Sequence, residues 1–299
     1  MLAAGAAIWL VRSLATGPGP LSASENPPAA AAAIVLGVVA AMAGAVAVIR
    51  PERGTLHALV ATSAAWSLAL LVALASAWAV IASTELRDLW HGTRVTTPAE
   101  ADAYLSGHVP AGVDPIRIPT GVLVQSMEFL SGDNVQLTGY VWQRFGPDVP
   151  DDVARGVVLP EAIREAYDAK EAYRYVEGDV ETVGWYFYAT LRQPFSYGRY
   201  PFDEQDVWLR LWSRDFARDV VLVPDFASYR NLAPGALPGI ESEFVFGGWK
   251  PVDSGFTYSV QPYDTSFGIG AADDAPPLPE LYFNLILDRE FGGPFFGDV

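Results

Sequence analysis

Two stretches of this chain hold side chains whose types and spacing could recognise a small molecule. The first is RYPFDEQDVWLRLW, residues 199–212, where a Pro-Phe-Asp-Glu-Gln knuckle runs into a strand pattern with Trp208, Arg210 and Trp212 at every second position. Alternation puts those three on one face and Val207, Leu209 and Leu211 on the other. The aliphatic set belongs in a core. The Trp-Arg-Trp set can stack a guanidinium between indoles on a half-wet surface or a subunit interface, and it fits an ordinary cross-strand ladder equally well. The second stretch is QPYDTSFGIGAADDAPPLP, residues 261–279, with Tyr263, Phe267, Asp273 and Asp274. Aromatic faces beside negative charge suit cation–π recognition of an amine, so the expected ligand is small and cationic.

Other chemistries find little support. The chain has no cysteine, which removes disulfides, thiolate catalysis and Cys-type zinc sites together. His57, His91 and His108 show no metal spacing; His57 falls at the edge of an apolar run, and the other two read as solvated. Asp151-Asp152 and Asp273-Asp274 lack the ligand density of a calcium loop. Gly268-Ile269-Gly270 is followed by a Pro-rich segment where a dinucleotide fingerprint needs a helix. No nucleophile motif is present. The expectation is a protein that is not an enzyme and carries no cofactor and no metal.

Charge narrows the partners. The first 83 residues hold Arg12, Arg50 and Arg53 with Glu25 and Glu52, so of 19 basic and 35 acidic side chains, 16 and 33 follow Ser83, a net of −17. Such a field repels phosphate backbones, and no basic stripe is visible, which argues against nucleic acid.

The acidic region follows an apolar one. Ala29–Ile49 and Leu59–Ile81 are uncharged runs of about 20 residues, enough as helices to cross a hydrocarbon core of about 30 Å. Arg50 and Arg53 in the intervening RPERG loop assign that loop to the cytoplasmic side, leaving residues 84–299 extracytoplasmic at an inner cell membrane, with lipid as a partner. Leu2–Val11 is about half a span long and reads as a short third helix, an interfacial segment or the remnant of a signal.

Beyond Ser83 the pattern turns to strands. Residues 84–115 read as a short helical linker, with Thr97 as N-cap of a helix over Pro98–Leu105. Gly121–Phe129 and Val135–Phe145 flank an SGDN turn and predict a hairpin. Glu161–Tyr173 reads as a helical or loop insertion. VGWYFYATL, Val207–Trp212, Val220–Val223, Phe244–Val260 and Leu281–Leu287 then predict further strands separated by Pro, Gly, Asp and Ser. The expected fold is mainly β, an immunoglobulin-like β-sandwich over 116–290 preceded by two transmembrane α-helices, or three if Leu2–Val11 spans.

At this point the residues resemble a known family, the extracellular domain of pentameric ligand-gated ion channels of the prokaryotic, cysteine-free type. IPTGVLVQSMEFLSGDNVQLTGYVWQRF is similar to that family's first two strands, with Asp133 in the connecting loop. VLPEA at 158–162 resembles a later loop, with Val158 where the family has Trp. RYPFDEQDVWLRL resembles the signature loop and its strand without the flanking cysteines. DVVLVPD, FGGWKPVDSGFTYSV and LYFNLILDREFGGPFF follow in the order of the last three strands and the lead-in to the first pore helix.

The resemblance implies a gating junction in which Asp203, Arg289 and Asp133 share charge, one cation between two carboxylates from different loops. In it Pro201 fixes the loop backbone and Phe202 anchors it. It also implies a homo-oligomer, a pentamer, and a ligand site between neighbouring subunits to which Trp142, Tyr186 and Tyr188 would add to Tyr263, Phe267, Asp273 and Asp274. The expected function is a membrane receptor subunit that couples ligand sensing to membrane helices, as a ligand-gated ion channel does. The alternative is a membrane-anchored binding or assembly module without a pore. The family places its pore helices after the sandwich, whereas here two spans precede it and the apolar FGGPFF near the end reads as the start of a further membrane segment.

Overall fold

The computed structural model of the protein describes residues 35, 37–39, 56–83, 90–198, 200, 203–242, 248–268 and 277–290. The chain divides into two units, residues 1–87 with 196–203, and residues 88–195 with 204–299.

In the first unit, α1 (Leu56–Ser83) is a 28-residue helix without Asp, Glu, Lys or Arg. It falls on the second apolar run. Its side chains are described without interruption only over residues 66–77, and among the described residues no helix is long and apolar enough to cross a membrane. The run Ala29–Ile49 lies outside the described residues apart from four helical positions, and Leu2–Val11 lies wholly outside them.

The second unit is built mainly of strands. One sheet has the order β1-β9-β10-β7-β4 and the other β5-β6-β3-β2-β8. Their ranges are β1 Thr93–Val95, β2 Ile116–Phe129, β3 Asn134–Phe145, β4 Val157–Val158, β5 Ala162–Glu177, β6 Val180–Arg192, β7 Glu204–Ser213, β8 Val220–Pro224, β9 Trp249–Val260 and β10 Pro279–Arg289. Neighbours pair antiparallel except β2 with β8, which run parallel from Ile116↔Val220 to Thr120↔Pro224.

Period-two patterning makes these elements strands with one buried face. β3 alternates half-buried and buried residues throughout, so Val135, Leu137, Val141 and Phe145 turn inward while Gln136, Thr138, Tyr140 and Trp142 turn outward. Val207, Leu209 and Leu211 of β7 join Phe256, Tyr258, Phe283 and Leu285 across from Ile118, Leu137, Val183 and Phe187, and all belong to one hydrophobic cluster shared by the two sheets. Fully burying an aliphatic or aromatic side chain of this kind contributes about 1.5–3 kcal/mol. Gly139 lets β3 pass close to β2, since a Cβ there would stand 2.1 Å from Leu123 O.

Two elements differ from expectation. The segment read as a helical or loop insertion is the edge strand β5, paired with β6 along Tyr167↔Ala189 to Glu177↔Val180. Residues 84–115 contain more than a linker: β1 pairs with β9 from Thr93↔Tyr258 to Val95↔Phe256, and α2 (Pro98–His108) buries Ala101 and Leu105 in the core. Thr97 is the N-cap of α2, its hydroxyl accepting from Glu100 N at 3.2 Å.

Candidate functional site

The outer face of the β1-β9-β10-β7-β4 sheet collects the polar and aromatic residues that its strands turn away from the core. On β7 these include Trp208, Arg210 and Trp212, all half-buried; on β10 they are Glu280, Tyr282 and Asn284. The register sets Arg210 against Tyr282 and Trp208 against Asn284.

Arg210 and Glu280 organise this face. Arg210 Nη2 lies 2.6 Å from Glu161 Oε1, which is supplied by the turn before β5, and Nη1 lies 3.6 Å from Glu280 Oε2. Nη1 also donates to the Tyr263 hydroxyl at 3.1 Å. Glu280 Oε1 accepts from Trp212 Nε1 at 2.8 Å and from the Tyr263 hydroxyl at 2.6 Å, while Oε2 accepts from the Tyr282 hydroxyl at 3.1 Å. One guanidinium between two carboxylates leaves a net charge of −1. Burial, more than the opposing pull of Arg210, raises the Glu161 pKa above its ordinary value. Burial and then Glu280 push the Tyr263 and Tyr282 hydroxyls upward, which keeps both as protonated donors.

Beside this charged group Trp212 forms the wall of a cavity of about 400 Å³ between the β7–β8 and β9–β10 connections. Phe216, Tyr263 and Phe267 stand edge-on to its ring at centroid distances of 5.8, 5.8 and 5.7 Å. The last three rings remain open to solvent, Phe216 at 43%, Tyr263 at 41% and Phe267 at 51% exposure. Phe267 adopts φ +54°, a left-handed conformation uncommon for a bulky residue.

The residues singled out in the sequence fall into three groups. Tyr263 and Phe267 meet at the cavity. Trp142, Tyr186 and Tyr188 lie on the outer face of the other sheet. There the Trp142 indole covers Gly121 and donates to Asp225 Oδ2 at 2.9 Å, Tyr186 packs against Tyr140 at 5.3 Å, and the Tyr188 hydroxyl donates to Gln136 at 2.8 Å. Pro201, Phe202, Asp273 and Asp274 lie outside the described residues.

Of the three gating residues, Asp133 sits in the β2–β3 turn and accepts from Ser131 Oγ at 2.9 Å. Asp203 is buried just before β7, and Arg289, the last residue of β10, lies 4.2 Å from the Trp249 ring centroid. Among the described residues no ion pair joins Asp133 to Arg289.

Sequence reasoning missed Glu161, Phe216 and Glu280 as parts of the cavity group, since each comes from a different connection or strand. It also misplaced His91. Rather than being solvated, its ring stacks 4.6 Å from Trp208 at 16° and lies 4.6 Å from Tyr282. No protein-family model matches the chain, and neither does any curated protein.

Proposed function

We propose that this chain is a membrane receptor subunit whose immunoglobulin-like, extracytoplasmic β-sandwich senses a small cationic ligand and couples it to membrane helices, in the manner of a ligand-gated ion channel. The observation that carries the proposal is the cavity beside Trp212. Trp212 of β7 and three aromatic rings from two connections meet there next to a carboxylate-rich group of net charge −1, a pairing of π-faces and field that favours an ammonium or quaternary ammonium ion.

Three further features support the reading. α1 is a 28-residue helix without a charged side chain on the second apolar run of the sequence. The segments that the resemblance assigns to strands fall on β2, β3, β7, β8, β9 and β10. The tyrosines of the other sheet, Tyr186 and Tyr188, are each more than a third exposed, which suits the surface of a homo-oligomer, a pentamer by resemblance, whose next subunit would close the cavity. In this reading α1 and the run Ala29–Ile49 sit in an inner membrane and the sandwich faces away from the cytoplasm.

The test is a titration of the full chain in lipid nanodiscs with tetramethylammonium chloride, read by tryptophan fluorescence, followed by current recording across a bilayer. The expected result is a saturable change that Trp212→Phe abolishes, Tyr263→Ala weakens about tenfold, and a current accompanies. Saturable binding without current would leave the anchored binding module. No saturable binding would end the ligand reading.

A further inference from the structure

Residues 90–92 form a strap across the outer face of β9, β10 and β7 and lead into the edge strand β1. Trp90 lies 4.1 Å beneath the Arg94 guanidinium, and Arg94 donates to both carboxylate oxygens of Asp253, at 2.6 and 3.0 Å. Gly92 takes φ +94°, and a Cβ there would stand 2.5 Å from Tyr258 O, so glycine is what lets the strap lie this close. His91 is held at both backbone polar atoms. Its N–H donates to Asp206 Oδ2 at 2.8 Å, and its carbonyl accepts from the Thr257 hydroxyl.

Asn284 joins these two bonds into one chain. One terminal atom of its amide lies 3.3 Å from both Asp206 oxygens, and the other lies 2.8 Å from Thr257 Oγ1. The Thr257 hydroxyl has a single proton to give. When Asp206 is neutral, its Oδ1–H donates to the Asn284 oxygen, the Asn284 amide donates to Thr257, and Thr257 donates to His91 O. Every member is then satisfied. When Asp206 is ionised it can only accept, so the amide turns its NH₂ to the carboxylate and its oxygen to Thr257. The one hydroxyl proton is then claimed by both the Asn284 oxygen and the His91 carbonyl, and the strap loses a bond.

We propose that the strap 90–92 is a latch that regulates the aromatic site, fully seated while Asp206 carries a proton and loosened when it ionises. The connection to the site runs through the His91 ring, which fixes Trp208 and Tyr282; the Tyr282 hydroxyl in turn holds Glu280, the anchor of Trp212 and Tyr263. The regulatory meaning rests on the ligand reading of that cavity, whereas the latch does not.

Asp206 is 9% exposed, and burial, opposed in part by the His91 N–H, raises its pKa well above the ordinary carboxyl value. Among the described residues, the other charged and titratable groups on this face are Glu204 and Arg210 of β7, Glu280, Tyr282 and Asp288 of β10, Lys250 and Asp253 of β9, Arg94 of β1, and Glu161 and Tyr263 from the connections. A raised carboxyl contributes stability that is fully present below its unfolded pKa and lost as pH rises through the folded one. His91 acts oppositely: burial first and Arg210 second lower its pKa, so its contribution is present above the ordinary imidazole value and lost as pH falls through the lowered one.

The test is hydrogen exchange of the full chain without ligand, corrected for intrinsic rates, on peptides covering 90–95 and 261–268 across a pH series. The expected result is a joint loss of protection in both peptides as pH rises through the raised Asp206 pKa, about tenfold or more. Asp206→Asn, whose amide donates to Asn284 at every pH, should remove that loss. Thr257→Val, which cannot bond His91 O, should lower strap protection at all pH and flatten its dependence on rising pH. The proposal is overturned by a loss on rising pH that survives in Asp206→Asn or Thr257→Val, by no loss in the parent chain, or by a strap that loosens while 261–268 does not respond. Failure of tetramethylammonium to bind would remove the ligand reading and leave these outcomes intact.

Discussion

Trp212 and Glu280 sit on the neighbouring strands β7 and β10, and the indole Nε1 donates to Glu280 Oε1 at 2.8 Å, which fixes the ring as the wall of the cavity. The same carboxylate holds Tyr263 and Tyr282 and approaches Arg210. Glu280→Gln keeps the size of the side chain, removes its charge, and gives Arg210 only Glu161 as a charged partner within the group. The expected outcome is a loss of about 1–3 kcal/mol in urea unfolding together with tetramethylammonium binding weakened about tenfold or more. Binding as tight as in the parent chain would show that the field of this group plays no part in recognition.

Trp142 serves as a control for the aromatic reading. Its indole donates to the buried Asp225, which also receives Ser228 Oγ and Arg144 Nη1, so this tryptophan ties the exit of β8 to β3. Trp142→Phe leaves Asp225 short of one donor and should cost about 1–3 kcal/mol of stability. Within a single subunit, tetramethylammonium binding should be unchanged, and equilibrium unfolding with fluorescence titration of the same variant separates the two effects. A large loss of affinity at unchanged stability would move Trp142 into the ligand site.

What the sequence revealed follows a physical division. Strict alternation in β3 and in Val207, Leu209 and Leu211 of β7 made their buried faces readable, because a period of two leaves few other solutions. β5 was misread because AIREAYDAKEAYRYVE is rich in Ala, Glu, Arg and Lys, all good helix formers, and only its pairing with β6 decides otherwise. The aromatic loop announced Tyr263 and Phe267, yet nothing local in the chain ties Glu161 or Glu280 to them. His91 carried no signal at all, since its burial depends on a strap laid across distant strands.

Arg94 and Asp253 give an acid-side prediction distinct from the latch. Burial would raise the Asp253 pKa, but hydrogen bonds from Arg94 and from the backbone N–H groups of Gly235 and Ser254, with the Arg94 charge, lower it below the ordinary value. A depressed carboxyl contributes stability that is present above its unfolded pKa and lost as pH falls through the folded one. The urea midpoint of the parent chain should therefore fall on acidification below the normal carboxyl range. Asp253→Asn should begin lower at neutral pH and show a shallower fall. Parallel curves for the two proteins would mean that this pair does not contribute to acid sensitivity.

Arg289 tests coupling apart from binding. It ends β10, opposite Trp249 in the register and 4.2 Å from that ring, at the other end of the strand from Glu280. If the receptor reading is correct, this arginine acts after the ligand has bound, so Arg289→Ala should leave tetramethylammonium affinity within about threefold while abolishing the evoked current. Asp133 accepts from Ser131 Oγ and makes no ion pair with Arg289 among the described residues, so Asp133→Asn should leave the current largely intact. Arg289→Lys separates charge from planar stacking: recovery of current assigns the role to charge, and continued loss assigns it to the contact with Trp249. A current that survives Arg289→Ala would remove this residue from the coupling path and leave the strap as the route to be tested next.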